Sequence, residues 1–131
     1  MNIIDKYLSL LVVIICIVTI ISGIMQIAAP HLVLTTMSAE TSPTSSYFFA
    51  IVGMFMALFG GLMLHAIYSA RTSPEAILWC AFQKLGAFVA VTMAVMNGIF
   101  SPLALGVSFF DLFSGLLFLY YLKQRREQWP S

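Results

Sequence analysis

Lys84, Asp111, His65 and Gln83 are the residues whose types could do chemistry together, because all of them fall inside long apolar stretches. Counting ~1.5 Å of helical rise per residue from the nearer polar boundary puts Lys84 roughly 13 Å deep, Asp111 roughly 16 Å and His65 about 7 Å, all from the same side. An unpaired charge at such depth costs at least about 2.5 to 3.5 kcal/mol on insertion scales, so two opposite charges at one level are expected to meet. Gln83 can add a hydrogen bond. Two chemistries fit. The cluster binds a polar ligand or carries protons, or it is an ion pair that fixes helix register while Lys84 stretches toward the headgroups. The residues alone leave both open.

Other chemistries find no support. No run of His and acidic residues has metal-ligand spacing, no Gly-rich loop stands beside a basic residue to cradle phosphate, and no nucleophile has its base. The expectation is a non-enzyme with no catalytic residue, no metal and no cofactor. His65 as a haem ligand would need a second intramembrane His, and His31 belongs to the opposite face. Cys16 and Cys80 read as small apolar fillers within predicted helices. A net charge of +1 argues against a nucleic-acid partner.

The elements that must position these groups are membrane spans. In 131 residues, 61% are hydrophobic and 8% charged, and the mean hydropathy is +1.00. A hydrocarbon core ~30 Å thick needs about 20 apolar residues per helix, and such runs occur at about 4–29, 47–70, 74–97 and 102–122. Pro30 stops the first. The stretch Thr41-Ser42-Pro43-Thr44-Ser45-Ser46 reads as loop and helix start. Ser73-Pro74-Glu75 opens the third, with a capping Ser, a Pro suited to the first turn and an acid at the positive helix end. Asn97-Gly98 closes it and Ser101-Pro102 opens the fourth, so the last two helices form an antiparallel hairpin. The fold class is all-α: a four-helix transmembrane bundle and a single integral membrane domain. The segment from Pro30 to Ser46 has a mildly apolar start and can lie on the membrane surface as a short helix.

Lys6, Arg71, Lys123, Arg125 and Arg126 all fall on one side of this arrangement, whereas Pro30 to Ser46 and Asn97 to Pro102 carry no Lys or Arg. Cations are enriched in cytoplasmic segments, which puts both termini in the cytoplasm. Tyr7, Tyr47, Tyr68, Tyr120 and Tyr121 lie at predicted helix ends, as an interfacial aromatic belt requires. The short basic tail is better explained by this topology than by lipid recognition. A cleaved signal fits the first segment poorly, because its apolar run is too long and Ile27 spoils the small-residue pattern before Ala29. A bacterial inner membrane is the default location.

Helices in lipid associate through close contact at small residues. Gly86, Ala90, Ala94 and Gly98 recur at four-residue spacing on the third helix, and Gly53, Ala57 and Gly61 on the second. These helices are expected to meet each other or to receive a partner subunit. Phe59-Gly60-Gly61-Leu62-Met63-Leu64 also echoes Phe113-Ser114-Gly115-Leu116-Leu117-Phe118, as duplication of a hairpin would produce.

With its four spans, short last hairpin and Gly-rich segments Leu58-Phe59-Gly60-Gly61 and Asp111-Leu112-Phe113-Ser114-Gly115, the chain resembles the small bacterial four-helix membrane proteins of DoxX-like type over most of its length. The resemblance is one of architecture and transfers no functional residue. It implies a compact bundle, and some such proteins are similar to accessory subunits of respiratory or redox membrane complexes. The expected function is therefore an accessory or scaffolding subunit packed against other membrane protein subunits or its own copies. The alternative is a small oligomeric transporter or a lipid or quinone binder that uses Lys84, Asp111 and His65.

Overall fold

A computed structural model describes residues 3–71 and 73–128, and these are all-α. The helices are α1 (Ile3–Ala28), α2 (Pro30–Thr36), α3 (Pro43–Tyr68), α4 (Pro74–Met96) and α5 (Ala104–Gln128). Four of them, all but the short α2, are long and apolar enough to cross a membrane. Met1 and Ser131, expected on the cytoplasmic side, lie outside the described residues.

The breaks between helices have local causes. Pro30 pushes the preceding Ala29 out of the helical region, to φ −141° and ψ 60°, which separates α1 from α2. At the head of α3, Ser42 accepts from the Ser45 amide at 3.0 Å and the Ser45 hydroxyl accepts from the Ser42 amide at 2.8 Å. This capping box, with Pro43 in the first turn, starts α3 four residues before the expected Tyr47. The helix start within this serine-rich stretch thus falls at Pro43, because the Ser42 and Ser45 hydroxyls satisfy amides that a helix start leaves open. At the other end of the chain α5 runs past the expected 122 to Gln128. Arg125 helps hold this extension by donating its Nε–H to the Tyr121 hydroxyl at 3.0 Å while its guanidinium lies 5.2 Å from that ring.

Helix α4 ends in a Schellman motif: the Gly98 amide donates to the Val95 carbonyl and the Ile99 amide to the Ala94 carbonyl. Gly98 takes the left-handed conformation this requires, φ 71°. The same motif closes α2, with Ser38 at φ 55°. The Ser101 amide then donates to the Met37 carbonyl at 2.8 Å, tying the α4–α5 connection to the end of α2.

The bundle is built from two hairpins. α1 packs along α3, and α4 along α5, while the hairpins touch each other more lightly. The shared core contains Leu8, Val12, Ile15 and Cys16 of α1, Met63 of α3, Ile77, Cys80 and Ala81 of α4, and Phe118, Tyr121 and Leu122 of α5. These residues lie toward the ends that carry Lys6, Arg71 and Lys123. No residue of α4 beyond Lys84 is fully buried. Apolar side chains such as Phe55, Leu58, Trp79 and Val89 face outward, as a bilayer demands.

The small-residue faces pair differently from the expectation. Gly53 and Ala57 of α3 meet α1 rather than α4: a Cβ on Gly23 would run into the Gly53 carbonyl and stand 2.8 Å from the Ala57 amide nitrogen. Gly61, Gly86 and Gly98 have open space where a Cβ would sit. Ala90 is exposed and Ala94 half-buried, so most of the α4 stripe looks outward. Four-residue spacing marks where a helix can be approached closely, but not by which neighbour.

Candidate functional site

Lys84 and Asp111 face each other across the α4–α5 hairpin, with Nζ 3.2 Å from Oδ1 and side-chain exposures of 4% and 9%. Their meeting follows from antiparallel packing: one residue sits midway along α4, the other two turns into α5, and a short connection brings these positions to one level. The other hairpin supplies a third member. Thr19 of α1 accepts a hydrogen bond from Lys84 Nζ at 2.7 Å and donates its own proton to the Ile15 carbonyl at 2.8 Å. The Phe110 ring lies 5.1 Å from the same ammonium. A carboxylate, a hydroxyl and a π face therefore surround a cation that can donate three hydrogen bonds. All three polar side chains are buried.

Lys84 thus does not reach toward the headgroups. It is held inside, and its bond to Thr19 crosses the light seam between hairpins, so the charge that locks α4 to α5 also bolts α4 to α1. Gln83 is half-buried next to it, with no side-chain hydrogen bond among the described residues. His65 is exposed on α3, whereas the cluster is buried. The His, Lys and Asp grouping that depth alone suggests resolves into Lys84, Asp111 and Thr19.

Sequence reasoning missed Thr19. It is the single hydroxyl between Leu10 and Ile21, and that isolation was the available signal. A second polar tie also escaped it: the hydroxyls of Thr92 on α4 and Ser108 on α5 hydrogen-bond to each other, and Ser108 donates to the Phe88 carbonyl at 3.3 Å. Farther along α5, Ser114 turns back onto the Phe110 carbonyl at 2.7 Å, and Gly115 brings the Ala81 carbonyl and the Leu85 side chain close. On the α1–α3 side, the Gln26 amide donates to the Met56 sulfur at 3.2 Å, and its carbonyl oxygen is buried without a hydrogen-bond partner among the described residues.

Chemically, the cluster is an ion pair in which the ammonium donates to two acceptors, Asp111 and Thr19, and faces the Phe110 ring. Its carboxylate is engaged by an ammonium and enclosed by apolar side chains, which suits holding helices in register. Among the described residues no group of His, Cys, Asp and Glu could hold a metal ion. No protein-family model, curated protein or solved structure matches the chain.

Proposed function

We propose that this chain is a multi-pass membrane protein that works as an accessory or scaffolding subunit, offering its outer helix faces to other membrane helices. The observation that carries this is the outward face of α4. There Gly86 and Ala90 form a low ridge between Phe82, Val89 and Met93, all exposed, and a Cβ at Gly86 would touch nothing. Small residues let another backbone approach closely in lipid, where hydrophobicity gives little drive to associate. The buried cluster supports the reading in a second way, since Lys84 directs two hydrogen bonds to partners inside the fold. The likeness in texture to DoxX-like proteins points in the same direction. Both termini on the cytoplasmic side of a bacterial inner membrane complete the proposal, on the strength of the one-sided cations.

Purification in mild detergent tests it. A larger membrane complex should copurify stoichiometrically, and Gly86→Leu with Ala90→Leu should release it without unfolding the chain. Isolation as a lone homo-oligomer that carries a bound small molecule would overturn the scaffold reading. That outcome would favour the ligand-handling alternative, which one observation keeps in view: the Lys84–Thr19 bond spans the seam between the hairpins, so a ligand that displaced Thr19 would move one hairpin against the other.

A further inference from the structure

Where α5 leaves the membrane, its last apolar turns and its basic residues share one face. Leu119, Leu122, Lys123 and Arg126 follow the spacing of a single helical stripe, apolar below and cationic above. With Leu78 in the second turn of α4 and Glu127 at the rim, they line a groove of about 440 Å³, in the ~300–1,000 Å³ range of small-molecule sites. Lys123, Arg126 and Glu127 are exposed, Leu78 and Leu119 half-buried, and Leu122 buried. The third cation of the tail is engaged elsewhere. Arg125 turns to Tyr121 and borders a different, smaller pocket with Asp5 and Ser9. The N-terminal end of α4 enters beside the groove, and Ser73 gives that end no side-chain cap.

We propose that this groove holds one anionic phospholipid, its phosphate between Lys123 and Arg126 and the start of an acyl chain along Leu78, Leu119 and Leu122. The charge pattern selects the occupant. Two cations against one carboxylate favour an anion, and apolar walls directly below them, at the level where the span ends, favour an anion that carries a hydrocarbon tail. A soluble anion would leave the half-buried Leu78 and Leu119 uncovered. An apolar protein segment would leave the cations unmatched.

The probe is phosphatidylglycerol, presented to the full chain in phosphatidylcholine nanodiscs and followed by lipid retention in native mass spectrometry. The wild-type protein should retain one phosphatidylglycerol through detergent exchange. Lys123→Gln with Arg126→Gln should weaken retention roughly tenfold or more, as expected for losing two basic contacts near a membrane surface. Lys6→Gln with Arg71→Gln removes the same charge at the same end, away from the groove, and should leave retention nearly unchanged. Glu127→Gln should tighten it. Equal weakening by the two double variants would reduce the effect to general surface attraction and overturn the site. So would retention indifferent to Lys123 and Arg126, no tightening in Glu127→Gln, or full displacement by inorganic phosphate. Loss of binding only on mixing with a soluble protein would assign the groove to that protein instead.

Discussion

Lys84, Asp111 and Thr19 carry very different penalties for disruption, and that ordering is a measurable property of the site. Asp111→Asn removes the counter-charge but leaves the ammonium buried against Thr19 and Phe110, and breaking a buried pair from one side costs about 3–5 kcal/mol. Thr19→Val removes a hydrogen bond to a charged group, for which about 1.5–3 kcal/mol is expected. Replacing both charges, Lys84→Met with Asp111→Leu, should recover much of the Asp111→Asn loss, because no buried charge is left unmatched. Unfolding in mixed micelles reads all three. A double variant as unstable as Asp111→Asn would show that packing, not charge, sets the cost. The pair was legible in the sequence because a charge deep in lipid must find a partner, and only one of opposite sign lay at its level. Thr19 was not, because a helical hydroxyl can satisfy itself on the carbonyl four residues back and so announces no need of a partner. His65 misled for the reverse reason: a group near the boundary can look outward at little expense.

Between elements, backbone proximity decides which small residues matter. Gly23 lies where α1 and α3 come together, so even Gly23→Ala would press a methyl onto the Gly53 carbonyl and the Ala57 backbone. Overpacking of this kind costs about 1–3 kcal/mol, and Gly23→Leu should separate the first hairpin. Gly86→Leu meets open space and should leave the melting temperature of the isolated protein within a few degrees of wild type. If Gly86→Leu proved the more damaging of the two, the assignment of outer and inner faces would be reversed. Gly98→Ala should destabilise by about 1 kcal/mol, because a Cβ is disfavoured at φ 71°, although space there is free. The four long helices were readable from hydropathy, since length and apolarity are local properties. Of their pairings only the last hairpin was, because so short a connection leaves α4 and α5 side by side; that α1 packs along α3 was not. The sequence echo between α3 and α5 nevertheless has a structural counterpart: Gly60 lies against α1 near the Cys16 carbonyl, as Gly115 lies against α4 near that of Ala81. In each hairpin the second helix presents a glycine to the backbone of the first.

At the scale of the whole molecule, charge and polarity divide the bundle into two ends, and that division predicts its orientation. Lys6, Arg71, Lys123, Arg125 and Arg126 gather at the end where α1 starts, α3 gives way to α4 and α5 finishes. The opposite end holds α2 and the α4–α5 connection, joined through Ser101 and Met37, and has no Lys or Arg in residues 30–46 or 97–102. Because cationic segments stay in the cytoplasm, cysteines placed at Thr41 and Ser69 should react with a membrane-impermeant thiol reagent from opposite sides, Thr41 from outside. Background labelling should be small, since Cys16 and Cys80 are each 1% exposed. The even number of spans between the ends fixes a further requirement: a cysteine replacing Lys6 must react from the same side as Ser69. Reaction of Thr41 and Ser69 from one side would break the four-span arrangement itself, whereas reaction of all three from the sides opposite to those expected would keep the bundle and invert it. In the inverted case the positive end would face outward, and the basic groove between α4 and α5 would meet the other leaflet.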